Sequence, residues 1–500
     1  MMTPTDLWNA LGAWQKASPY AGLYVAGGFG AVLLAAQLWG KKRQPQTTHG
    51  TSRWASPAEI RDAGLTVPQG VVCARLGRQL LCDDSETHVL LVAPSRSGKG
   101  IGPIICSLLT WQQSCLVYDP ANGENYAATH HWRESLGHRV ERFTPRDAPR
   151  ACINVCDLIR FGTPEELEDC MVVGDSLTSP LKLHQSDAGR YFRGLAKMVI
   201  AAGLLHLHYT APPVSLGKLG VFLTQGYPTL GKCLEAMRTS RHTTHGVHPS
   251  VAWLVQATSQ LGDRSTGDAW GTVVSALLPY ADSLTRRSTD TSTICVDDLQ
   301  HSATPMSLYL AAPSTRSLET LAPVYRVVSD MIQYRLQQSA PRSAKQRLLV
   351  IADEAPAFGY SSFLDKGAAE AGKYGIKLLI VAQDTVQIDG TFGKENSIFG
   401  NTATKIFYAP DRHETAKALS QAWGQATVEQ PVLSKQEGIG GKTSVSYQQV
   451  GQWHMAPDQL RTMHPQACVI DRTGLYPILA GKVNCRHDPE FRGKYQTSAV

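Results

Sequence analysis

Four side chains standing at the ends of apolar runs have the types and the order that phosphate chemistry requires: Lys99, Asp353, Glu354 and Gln383. Lys99 lies in the segment Ala93-Pro94-Ser95-Arg96-Ser97-Gly98-Lys99-Gly100, which follows Val89-Leu90-Leu91-Val92 and leads into Ile101. A loop of this kind wraps phosphates with backbone N–H groups, while its lysine neutralises their charge. It departs from the GxxxxGK[ST] pattern twice, because Ala93 stands for the first glycine and Gly100 for the magnesium-binding hydroxyl. Taken alone, the segment reads equally well as a glycine-containing turn between a strand and a helix.

The second run, Arg347-Leu348-Leu349-Val350-Ile351-Ala352, passes straight into Asp353-Glu354. A continuous apolar stretch is what a strand buried on both faces needs, so the two carboxylates are placed at a strand end. In nucleotide hydrolysis the first acid holds the Mg²⁺ shell, usually through water, and the second orients and deprotonates the attacking water. An acidic helix start would produce the same pair. A third run, Ile376 to Ala382, ends at Gln383, whose amide can sense the γ-phosphate or the water. Thr404 to Ala409 makes a further strand, with Pro410-Asp411-Arg412 at its tip.

These strand ends converge on one nucleotide site, as expected at the carboxyl edge of a parallel sheet. Strand Val89–Val92, a helix opened by Lys99, and strand Cys115–Tyr118 ending at Asp119 form a parallel crossover unit. The fold class is therefore α/β with a mainly parallel central sheet, and the implied cofactors are a nucleotide and Mg²⁺. Residues 93–101 form the binding loop, Lys99 grips the β and γ phosphates, Asp353 serves the metal through water, and Glu354 and Gln383 serve the water and the γ-phosphate.

The chain's 500 residues, 43% of them apolar, bury a large core and allow two or three domains. A net charge of +6 is compatible with a nucleic-acid partner but does not select one. Eleven cysteines, an odd number without a CxxC pair, suit reduced thiols in a cytosol-facing protein. Cys152 and Cys156 flank apolar Ile153 and Val155, which argues against zinc.

From Ala17 to Gly40 no residue is charged, and Lys41-Lys42-Arg43 follows at once. At about 1.5 Å per residue, the stretch from about 20 to 40 is long enough to cross the roughly 30 Å of a bilayer core. Tyr20, Tyr24 and Trp39 suit the interfaces, and the basic flank puts the carboxyl side in the cytoplasm. A signal peptide carries its charge before the apolar stretch, and a buried soluble helix would have to accommodate Gly22, Gly27, Gly28 and Gly30. The expected organisation is a membrane anchor over 1–43, a first nucleotide-binding part over 44–180, an intervening segment over 181–290 and a second nucleotide-binding part over 291–500.

The intervening segment has helical character, in the spacing of Phe192, Leu195, Met198, Val199, Ala202, Leu205 and Tyr209, and in an apolar face from Trp270 that Pro279 ends or kinks. Between them, His242, His245 and His248 read as a solvated loop, since Gly246 and Pro249 break a helix and no carboxylate is adjacent. Gly440-Gly441-Lys442-Thr443 imitates a phosphate loop, but Gln436 stands where the first glycine belongs and no apolar strand precedes it, so it reads as a hairpin tip.

With these residues in order, the chain resembles the TraG/TraD-like coupling ATPases of type IV secretion and conjugation systems. The resemblance rests on His49-Gly50-Thr51-Ser52-Arg53-Trp54-Ala55, Ala93–Gly102, Asp119-Pro120-Ala121-Asn122-Gly123-Glu124-Asn125, Ala352-Asp353-Glu354-Ala355-Pro356, Val381-Ala382-Gln383-Asp384 and Asp488-Pro489-Glu490-Phe491. It implies a RecA-like P-loop motor that uses ATP and Mg²⁺, anchored by a single pass in the bacterial inner membrane, with 181–290 as an inserted all-α domain facing the cytoplasm. It also implies a ring, expected as a hexamer, that passes relaxase-bound single-stranded DNA to the inner-membrane components of a secretion channel. A protein-effector loader that ignores DNA, and a non-hydrolysing cargo receptor, are the alternatives. Two departures stand out: Ala121-Asn122 replaces the family's lysine, and its trans cationic finger falls near Lys373, with Arg316 and Arg412 as substitutes.

Overall fold

The computed structural model describes residues 48–145, 151–180, 187–226, 229–259, 263–435 and 443–496. The expected span at 20–40 and the anchor 1–43 lie outside the described residues. Among those described, no helix is long and apolar enough to cross a membrane. The chain divides into two compact units, Arg53–Trp423 with His454–Val500, and Met1–Ser52 with Gly424–Trp453.

The larger unit is built on one sheet of eleven strands. In chain order these are β1 (Val71–Leu76), β2 (Gln79–Asp83), β3 (His88–Val92), β4 (Ser114–Asp119), β5 (Arg139–Phe143), β6 (Met306–Ala311), β7 (Leu348–Ala352), β8 (Ile376–Ala382), β9 (Thr402–Phe407), β12 (Ala467–Arg472) and β13 (Ile478–Gly481), with β10 (Gln425–Lys435) and β11 (Thr443–Trp453) set apart in the other unit. The spatial order is β2-β1-β13-β12-β9-β3-β8-β7-β4-β6-β5. From β9 to β5 every pairing is parallel, and from β9 to β2 every pairing is antiparallel. The apolar runs of β3, β4, β7 and β8 are explained by burial on both faces. Leu90, Leu116, Val350 and Ile380 enter one core, while Val89, Leu91, Val117, Ile351 and Val381 enter the other.

At the amino edge of these strands, opposite the Lys99 loop, a buried ionic knot ties four strands together. Lys377 near the start of β8 donates to Asp83 at 3.2 Å, and Arg472 of β12 donates to the second oxygen at 2.8 Å. Thr404 of β9 donates to that same oxygen at 2.6 Å. Lys377 and Asp83 are each 1% exposed.

Helices fill the interval between β5 and β6 from Glu166 to His301, and the segment 181–290 expected to be helical lies within it. Helix Glu166–Thr178 packs on helix Asp187–Thr210, which carries the expected spacing. Pro279 lies in a 3-10 turn immediately after helix Asp263–Leu277, ending it as expected. The histidine loop is not simply solvated. His242 is buried, with Nε2 2.9 Å from His206 Nδ1, and its Nδ1 accepts from the His248 amide at 3.2 Å. His248 meets Glu166 at 2.9 Å, and its ring stacks on Tyr209. The partners come from helices distant in sequence, which local composition could not display. Only His245 stays exposed, and no group of three or more metal-ligating side chains occurs among the described residues.

In the smaller unit, β10 and β11 pair antiparallel from Gln425↔Trp453 to Lys435↔Thr443. This pairing brackets the segment expected as a hairpin tip; residues 436–442 lie outside the described residues. Thr51 adds a bridge to Ala426.

Candidate nucleotide site

The carboxyl ends of β3, β8 and β7 are neighbours in the sheet, so Lys99, Gln383 and Glu354 meet although 284 residues separate the first from the second. Lys99 Nζ donates to Glu354 Oε2 in a close ion pair. Gln383 Nε2 donates to Glu354 Oε1 at 2.5 Å, and Gln387 reaches the same oxygen at 3.4 Å. Gln387 also accepts from the Gln383 amide at 3.0 Å, and it belongs to a helix whose N-cap, Asp384, is paired with Arg412 at 3.0 Å. One carboxylate is thus gripped by a cation and two amides, and a phosphate entering the loop must compete with it for Lys99.

Backbone strain marks the same edge. Arg96, Asn122, Arg342 and Glu354 are the non-glycine residues with φ in the left-handed region among the described residues. Three of them follow β3, β4 and β7, at the edge that carries Lys99. Such conformations persist where surrounding structure holds them, and they cluster at ligand sites. Ala93 ties the loop's start to β8 through its amide on Ala382 O at 3.0 Å. Beyond Lys99 the chain does not enter an α-helix directly: Gly100–Ile104 forms a wider π turn with a kink at Gly102, and the α-helix begins at Ile105.

Asp353 is 9% exposed. Its Oδ2 accepts from Asn125 Nδ2 at 3.1 Å, while its Oδ1 is buried without a hydrogen-bond partner. Burial pushes its pKa up to about 6, against the downward pull of Lys99 and Asn125. Asp119 at the end of β4 is pushed up to about 7 by burial, opposed by the amides of Tyr126 and Asn125. The orphaned Asp353 oxygen fits a divalent cation or the water on one, which would supply the positive charge this buried carboxylate lacks. Hard oxygen donors and retained waters suit magnesium, and without a hydroxyl at Gly100 the water-mediated route through Asp353 is the one these residues offer.

Residues 53–497 match the family described as "Type IV secretory system Conjugative DNA transfer". The chain belongs to that family. "Conjugal transfer protein TraG" of Escherichia coli is 28% identical over 457 residues, covering 83% of this chain and 71% of TraG. "Protein VirD4" of Agrobacterium fabrum is 25% identical over 498 residues, covering 95% of this chain and 71% of VirD4. Among solved structures, "Plasmid coupling protein TrwB in complex with ADP and Mg2+" superposes with a TM-score of 0.66 at 13% identity, covering 87% of this chain and 93% of TrwB. That likeness establishes a shared α/β fold with a mainly parallel sheet.

Within this coupling-protein family member, the segment from Asp119 to Asn125 serves a purpose the sequence reading missed. Asp119 accepts from the amides of Asn125 and Tyr126 at 3.3 and 2.9 Å, and this turns the start of helix Glu124–Ser135 so that Asn125 reaches Asp353. Gln387 was also missed, although its place four residues after Gln383 on a capped helix start was a usable signal. The three cationic candidates separate by position. Lys373 stands just before β8 at the opposite edge and is paired with Glu370, whereas Arg316 and Arg412 follow β6 and β9 on the loop's own edge. Gln383→Ala is expected to lower nucleotide turnover about tenfold by freeing one side of Glu354, read as kcat in a steady-state assay, with protein stability unchanged.

Proposed function

We propose that this coupling protein hydrolyses ATP, with magnesium, to drive relaxase-bound single-stranded DNA into a type IV secretion channel. It works as a ring, expected as a hexamer, anchored in the bacterial inner membrane by the apolar stretch at 20–40, with its bulk in the cytoplasm. The observation that carries the reading is the convergence of Lys99, Gln383 and Gln387 on the Glu354 carboxylate, with the orphaned Asp353 oxygen beside them. Residues 93–101 cradle the phosphates and Lys99 leaves Glu354 to neutralise them. Glu354, still held by Gln383, then orients and deprotonates the attacking water. Bound magnesium would supply positive charge to the β and γ phosphates. The family match and the TraG and VirD4 relatives support the transfer role, and the TrwB complex with ADP and Mg²⁺ supports the cofactors.

The test is ATP turnover of the full chain in a membrane mimetic, with and without single-stranded DNA, across a salt series. Strand-stimulated turnover whose stimulation fades as salt rises is expected, because strand binding releases counterions. Turnover indifferent to DNA but raised by a secreted protein would assign effector loading instead. Absence of turnover under every condition would overturn the motor reading and leave a cargo receptor.

A further inference from the structure

The segment after β13 runs against the phosphate loop and touches it at both ends. Lys482 Nζ donates to Ser97 O at 3.1 Å, and the Cys485 amide donates to Ile101 O at 2.8 Å. Between them Val483 O passes so close to Gly102 that an added Cβ would stand 3.1 Å from it. Lys482 is half-buried, with its ammonium 3.9 Å from the centre of the Tyr408 ring and its amide on Gln466 O at 2.7 Å.

Ser97 is the residue where the loop most needs holding. Its neighbours Arg96 and Gly98 both have left-handed φ, 59° and 91°. Its own amide and hydroxyl turn back onto Pro94 O at 3.3 and 2.6 Å. In a trans peptide the carbonyl and the following N–H point in opposite directions. A cation that fixes the Ser97 carbonyl outward therefore fixes the Gly98 N–H inward, toward the space the loop encloses. A flip of that peptide would put a carbonyl dipole where a phosphate must sit.

We propose that Lys482 is a positioning residue of the phosphate loop, a cation from the far end of the chain that sets the direction of the Gly98 amide through the Ser97 carbonyl. The inference rests on the reading of residues 93–101 as the phosphate cradle. It also accounts for how a loop with Ala93 and Gly100 keeps its geometry: the brace comes from outside it.

The test uses the full chain and Mg²⁺ with a fluorescent ATP analogue, titrated to equilibrium, alongside steady-state turnover. Lys482→Met retains the stem on Tyr408 and removes the donor, and it is expected to raise the dissociation constant about tenfold. KM should rise in parallel and kcat stay within about threefold, because the loop holds substrate and transition state alike. Lys482→Arg, which can still donate to Ser97 O, should bind within about threefold of the unaltered chain. Unchanged affinity in Lys482→Met, or an arginine variant as impaired as the methionine one, would overturn the proposal. Should Lys482→Met not fold, Lys482→Leu, which likewise has no donor, carries the same expectation and the same overturning result. Failure of the unaltered chain to bind the analogue would overturn the cradle reading itself, whereas normal binding in both it and Lys482→Met removes only the role of Lys482.

Discussion

Glu354→Gln is expected to lower ATP turnover by about 10²–10⁴-fold while leaving nucleotide affinity equal or higher. The two effects share one cause. The Glu354 carboxylate is the only acid in an ion pair with Lys99 among the described residues, so in the resting site it competes with a phosphate for that lysine. A neutral amide of the same shape removes the competition, and with it the group proposed to take the proton from water. Steady-state turnover together with equilibrium binding reads both. A variant with turnover within a factor of two would show that another group acts as base.

Asp83→Asn is expected to cost about 3–5 kcal/mol of stability, because it leaves Lys377 charged, buried and short of its counter-ion. The Asp83 carboxylate accepts from Lys377, Arg472, Thr404 and Ser85, which belong to or flank four separate strands. Burial pushes its pKa up, but Lys377, Ser85, Thr404 and Arg472 outweigh burial and hold it at about 2, below its ordinary 3.8. A carboxylate with a depressed folded pKa stabilises fully above its unfolded value, and the contribution is lost as pH falls through the folded one. The unaltered chain should therefore lose this stability between about pH 4 and pH 2, and Asp83→Asn should flatten that limb. Urea unfolding as a function of pH checks both. An unchanged midpoint at neutral pH would show that the knot contributes nothing net.

The strands that carry the site were legible because burial on both faces writes itself as an unbroken apolar run. The expected strands at 89–92, 115–118, 376–382 and 404–409 correspond to β3, β4, β8 and β9 within a residue or two. The antiparallel strands β1, β2, β12 and β13, the edge strand β5 and the buried β6 lack that uninterrupted length or a motif at their ends, and the sequence does not announce them. Lys99, Asp353, Glu354 and Gln383 were legible for a second reason, since each directly follows such a run or the turn leaving it, and a parallel sheet brings those ends to one edge.

Sequence alone thus placed a lysine-bearing loop, two acids and an amide at strand ends, in an order that matches a family. Tertiary structure decided everything that depends on which distant segments touch. It turned Asn125 onto Asp353, set Gln387 behind Glu354, buried His242 against His206 and brought Lys482 to Ser97. None of these partners shares a local period or motif with the residue it serves. Pairing across 33 to 385 residues is fixed by strand order and helix packing, which a linear pattern does not encode.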